Sequence, residues 1–163
     1  MPKRPLSLVP LIMFLLAILI GTAHGSWHRL TFDGREFREG GSHGYPVLQH
    51  RQGVLPFVDY SGSRATEAKL PAGSGGVSGI CYIMVAGGKA HAAPGYLPLP
   101  GEPVEIRGEK VTLLTRTDQA GYFILALPAG TYEFRVRGFS RTVRIKAGEN
   151  SFIALRGGKR MVD

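Results

Sequence analysis

From residue 77 to residue 155 the chain alternates between short apolar-rich runs and turn residues, and this spacing constrains the fold more than any other feature. The runs are 77–85, 103–107, 111–115, 122–127, 131–137, 142–146 and 151–155. Gly108, Asp118 to Gly121, Pro128 to Gly130, Gly138 and Gly148 to Asn150 separate them. Short runs with turn signals every ~8–12 residues predict antiparallel strands packed face to face. No stretch after residue 25 keeps an apolar stripe at helical spacing for three turns. The reading is all-β: a seven-stranded antiparallel Greek-key sandwich over 77–163, preceded by a disordered N-terminal arm.

Composition narrows this further. A chain of 163 residues has room for one small domain and some additions. The single cysteine, Cys81, excludes an intramolecular disulfide framework and a four-cysteine zinc site. Hydrophobic residues make up 44%, too many for a disordered polyelectrolyte.

Residues 1–25 carry the pattern of a secretory signal peptide. Lys3 and Arg4 form a basic start, residues 6–20 an apolar core, and Ala23 and Gly25 a small-residue pair for cleavage before Ser26. The core is shorter than the ~20 residues of a spanning helix, although an uncleaved anchor is the alternative. A second cut would expose His24. The predicted location is periplasmic or secreted, in the cell envelope. Loss of Lys3 and Arg4 leaves 18 basic against 12 acidic residues, still a net positive chain.

Residues 26–76 show weak periodicity and many glycines, so they read as a poorly ordered arm ending in a flexible linker at 73–76. One apolar piece, 54–60, reads as a docking strand able to add to an exposed sheet edge of another subunit.

Residues 77–155 resemble the carboxypeptidase regulatory-like domain, a transthyretin-like β-sandwich. The resemblance is carried by Gly79, by Pro98-Leu-Pro-Gly-Glu-Pro-Val104-Glu-Ile106 and by Thr115-Arg-Thr117-Asp118-Gln-Ala-Gly121-Tyr-Phe123. It continues through Leu127-Pro128-Ala-Gly130-Thr-Tyr132 and Val143-Arg-Ile145-Lys-Ala-Gly148. Asp118 and Gly121 are placed to bracket a tight turn. Phe123 and Tyr132 are expected as core anchors on neighbouring strands, with Pro128 and Gly130 closing a hairpin between them. The family is a fold that serves many roles, so the resemblance implies architecture rather than activity.

The chemistry-bearing motifs are few. A zinc carboxypeptidase needs His-x-x-Glu, but the residues three positions after His28, His43, His50 and His91 are Thr31, Pro46, Gly53 and Pro94. The related hydroxyisourate hydrolases end in Tyr-Arg-Gly-Ser, whereas this chain ends in Lys159-Arg-Met-Val-Asp163. Cys81 with His91 could suggest a catalytic pair, but a small buried residue on the first strand is the simpler reading. An isopeptide cross-link through Asn150 would need a lysine within 77–85, and there is none. The expectation is therefore no enzyme and no cofactor.

Two constellations remain. Arg135, Arg137, Arg144 and Lys146 alternate with Phe134, Val136, Val143 and Ile145 on two strands joined at Gly138. Period two predicts all four cations on one exposed face, with the apolar residues inside. Such a face suits an acidic polysaccharide, an anionic surface or an acidic protein, whereas nucleic acid fits the charge but not the compartment. Cleavage before Ser26 would also create a Ser26-Trp27-His28 terminus, a nitrogen set suited to copper(II) or nickel(II). The leading expectation is a non-catalytic binding or structural module of the bacterial cell envelope, contacting a protein or an anionic glycan. An envelope hydrolase and a copper or nickel carrier are the alternatives.

Overall fold

The computed structural model describes residues 25–40, 46–62, 66–87 and 95–162. Residues 1–24, where the basic start and apolar core were read, and His43 and His91 lie outside the described residues. The described chain is all-β, with twelve strands in three sheets.

Strands β1 (His28–Phe32), β2 (Phe37–Glu39), β3 (Val47–His50) and β4 (Phe57–Asp59) form one antiparallel sheet in the order β2-β1-β3-β4. The long strand β5 (Ser74–Gly87) centres a second sheet. On one side it pairs antiparallel with β9 (Tyr122–Pro128) and β6 (Gly95–Pro98). On its other side runs β12 (Asn150–Val162), which is parallel to it. The third sheet has the order β11-β10-β7-β8 and is antiparallel throughout. Its strands are β7 (Pro103–Arg107), β8 (Thr112–Arg116), β10 (Gly130–Val136) and β11 (Phe139–Ile145).

The β5 sheet is the middle of three layers, and its sequence shows why. Successive side chains on a strand point to opposite faces, so a strand buried on both sides is apolar without alternation. Val77 and Cys81 face the third sheet, in a core with Val104, Ile106, Phe123, Phe134, Ile145 and Ile153. Ile80 and Tyr82 face the opposite way, with Phe32 and Tyr122, and Phe37, Met84 and Tyr96 pack against them. Burying a large apolar side chain such as Phe134 stabilises the fold by about 1.5–3 kcal/mol.

The second core corrects the arm. Residues expected to be loose form the β1–β4 sheet, because Ile80, Tyr82 and Met84 on the even-numbered face of β5 are apolar and need cover. Phe32 sits 4.8 Å from both Tyr82 and Tyr96, ring centroid to ring centroid. The predicted linker is likewise strand: Gly75 and Gly76 lie inside β5, where a Cβ on Gly75 would come within 2.3 Å of the Lys146 carbonyl. The piece at 54–60 does add to a sheet edge, but within this chain, as β4 against β3.

Three further corrections concern connections. The seven-stranded sandwich gives way to three layers, with β6 an additional strand and β12 parallel to its neighbour. Pro128 to Gly130 closes no hairpin: β9 and β10 belong to different sheets, and the chain crosses between layers there. Phe123 and Tyr132 still share one core, now from opposite layers, and the Tyr132 hydroxyl donates to the Pro128 carbonyl at 3.0 Å. The Asp118 turn is as expected, with Gly121 at φ +82° and the Asp118 Oδ1 accepting from the amides of Ala120 and Tyr122, both at 2.9 Å.

Candidate interaction face

The third sheet turns one face to the core and one to solvent. Its pairing places Glu105 opposite both Arg135 and Leu114, and Arg107 opposite both Glu133 and Thr112. Residues directly opposite in an antiparallel pair share a face. The outer face is thus built from Thr112, Leu114 and Arg116 of β8, Glu105 and Arg107 of β7, Glu133 and Arg135 of β10, and Ser140, Thr142 and Arg144 of β11.

Of the four predicted cations, Arg135 and Arg144 lie on this face. Phe134, Val136 and Ile145 are buried beneath the sheet as expected, and Val143 is half-buried. Arg137 leaves the pattern. It and Gly138 form the two-residue β10–β11 turn, with φ of +47° and +80°. That turn type requires a positive φ at both central residues, so Arg137 is no longer in strand alternation. Its guanidinium reaches Glu102 at 2.8 Å, which holds the arginine more firmly protonated. Lys146 follows the end of β11 and pairs with Glu149 at 3.3 Å.

The expected single patch therefore divides in two. Arg135 and Arg137 line a groove of about 680 Å³ with Pro103, Glu105, Thr112 and Leu114. Arg144 and Lys146 line another of about 610 Å³, with Glu109 and Thr131. The first groove is nearly neutral. Arg135 forms a two-pronged pair with Glu133, at 2.9 and 3.1 Å, and Arg107 pairs with Glu105 at 2.8 Å. The hydrogen bonds from Arg135, then that from Ser140, hold the Glu133 carboxyl below the usual carboxylate range.

The terminus motif is also occupied. His28 is a β1 residue opposite His50, its ring stacked on the His50 ring at 5.2 Å. The His28 Nδ1 lies 2.6 Å from the Glu39 carboxylate. Trp27 packs edge-on against Phe57 at 5.4 Å, beneath the Arg51 guanidinium. Among the described residues no group of three or more His, Cys, Asp or Glu side chains is placed to hold a metal ion. Cys81 is fully buried, and burial pushes its thiol up to about 12.

What the sequence reading missed is the edge strand β8. Leu114 is 68% exposed and Leu113 38% exposed, with Val111 just before them also 38% exposed. The signal was present: adjacent leucines on a strand must point to opposite faces, so one of the two had to face outward. Between Thr112 and Thr115 there is no charge to discourage pairing.

No family model, curated protein or solved structure matches this chain.

Proposed function

We propose that this chain is a non-catalytic binding module of the bacterial cell envelope, exported by way of residues 1–25. In this reading its β5–β12 portion is a carboxypeptidase regulatory-like sandwich, and it engages a protein partner through the third sheet. The observation that carries this is the β8 edge, where Leu113 and Leu114 stand exposed on a strand whose outer side has no neighbour in the sheet among the described residues. An uncovered edge whose central residues 112–115 carry no charge recognises extended protein backbone through main-chain hydrogen bonds. The pairing of Arg135 with Glu133 and of Arg137 with Glu102 weighs against an acidic glycan in the larger groove. Arg144, which has no carboxylate at ion-pair distance among the described residues, is where such a glycan would bind instead.

A photo-crosslinking residue placed at position 114, and separately at 144, tests this in the exported full chain. Protein adducts formed from position 114 are the expected result. Binding of acidic polysaccharide that falls with added salt and with Arg144→Glu, without adducts at 114, would replace the protein reading by the glycan one. Turnover of envelope peptides or glycans by the purified chain would overturn the non-catalytic reading.

A further inference from the structure

We propose that the partner of β8 is a second copy of this chain, joined antiparallel about a twofold axis at Leu114 so that two third-layer sheets become one. This rests on the protein-binding reading of the β8 edge and specifies its occupant.

The direction of the backbone groups sets the geometry. The Gly108 amide donates to the Val111 carbonyl at 2.7 Å, and the Thr117 amide to the Glu102 carbonyl at 3.0 Å. These two bonds bracket β8 and fix which of its residues bond inward. Hydrogen-bonded and non-hydrogen-bonded pairs alternate along an antiparallel ladder. In the β7–β8 register Leu113 opposes Ile106 and Thr115 opposes Val104, so Leu113 and Thr115 bond toward β7. Thr112, Leu114 and Arg116 then direct their N–H and C=O groups away from the sheet.

A second copy must present the same outward set. With Leu114 opposite Leu114, Thr112 falls opposite Arg116 and every outward group of the strand finds a partner. A slip that puts Thr112 opposite Leu114 leaves Arg116 beyond the other strand, and a slip the other way leaves Thr112 beyond it. In the chosen register the turn that carries Lys110 falls beside the turn that carries Asp118 in the other copy, which sets opposite charges at each end of the paired strands. The chosen register also covers Val111, Leu113 and Leu114, three exposed apolar residues that a monomer leaves in water. An interface related by a twofold axis must be self-complementary, and this strand is.

The test is sedimentation equilibrium of the full chain from micromolar to near-millimolar concentration, with two variants. Leu114→Pro removes only an outward N–H, which an edge strand tolerates. Leu114→Lys keeps the backbone and sets two ammonium groups face to face. A concentration-dependent dimer that both variants convert to monomer is expected, with urea midpoints showing that each remains folded. Oxidation fixes the register. Cα atoms of a hydrogen-bonded pair are about 5.5 Å apart, within disulfide reach. Leu114→Cys should therefore cross-link to itself and Thr112→Cys should not, while the buried native Cys81 stays unreacted. A wild-type chain that is monomeric throughout, a dimer that survives both variants, or cross-linking at 112 instead of 114 would each overturn the proposal. A monomer whose position 114 still captures a different envelope protein would overturn self-pairing and leave the binding-module reading standing.

Discussion

The hydroxyl of Tyr60 donates a hydrogen bond to the carboxylate of Asp118, 58 positions further along the chain, joining the end of β4 to the turn that opens β9. The first layer is thus fastened to the middle one by a polar clasp as well as by aromatic packing. Tyr60→Phe removes one donor and should cost about 1 kcal/mol, since a net hydrogen bond is worth about that much. Asp118→Ala should cost more, roughly 2–3 kcal/mol, because the amides of Ala120 and Tyr122 lose their acceptor too. Urea midpoints should fall in the order wild type, Tyr60→Phe, Asp118→Ala, and equal midpoints for the two variants would remove the turn role from Asp118. Burial first, and then the Asp118 carboxylate, raise the Tyr60 hydroxyl above the usual tyrosine value. A raised acid binds its proton more tightly in the folded state, so its contribution is complete below about pH 10 and is lost as pH rises beyond. Tyr60→Phe should make the alkaline fall in stability shallower.

His50 sets a second dependence, at the other end of the scale. It packs edge-on against Phe152 at 4.7 Å, under the stacked ring of His28. Burial lowers its basicity most and His28 lowers it further, against a smaller opposing effect of Glu39. The folded state therefore resists protonation that the unfolded chain accepts near pH 6.5. Stability should be complete above that value and decline as pH falls through it. Urea midpoints at about pH 7.5 and about pH 5 should separate in the wild type and draw together in His50→Gln. A wild-type midpoint that does not change between the two would refute the assignment.

The strands that alternate cleanly were legible, and so was the Asp118 to Gly121 turn. The first layer was not, because its strands are three to five residues long and separated by glycines. What orders it is tertiary. Asn150 donates from Nδ2 to the carbonyls of Arg51 at 2.9 Å and Val54 at 3.1 Å, contacts across nearly a hundred residues that no local pattern carries. The unbroken apolar run 80–85 was the available clue, since a strand apolar on both faces demands two covering layers. For the basic residues, alternation located Arg135 and Arg144, but a turn centred on Gly138 alone left Arg137 counted as strand. An Arg-Gly pair between two strands is a turn, and turn residues do not share the parity of the strand.

Gly79 and Phe123 give the sharpest test of the packing between the middle and third layers. They are opposite each other on β5 and β9, and a Cβ built on Gly79 would come within 2.1 Å of the Phe123 ring. The ring lies across the bare glycine backbone and fills the space a side chain would take, stacking 6.1 Å from Phe134. Glycine in a strand interior commonly marks such a close approach. Gly79→Ala gains backbone rigidity but forces the ring to move in a core with no slack, and overpacking of this kind costs roughly 1–3 kcal/mol. Phe123→Leu alone opens a cavity and should also destabilise. Together the two should cost less than the sum, because the smaller leucine makes room for the new methyl group. A double-mutant cycle read from urea unfolding should show a favourable coupling of about 1 kcal/mol or more. Strict additivity would mean that Phe123 is not what keeps position 79 a glycine.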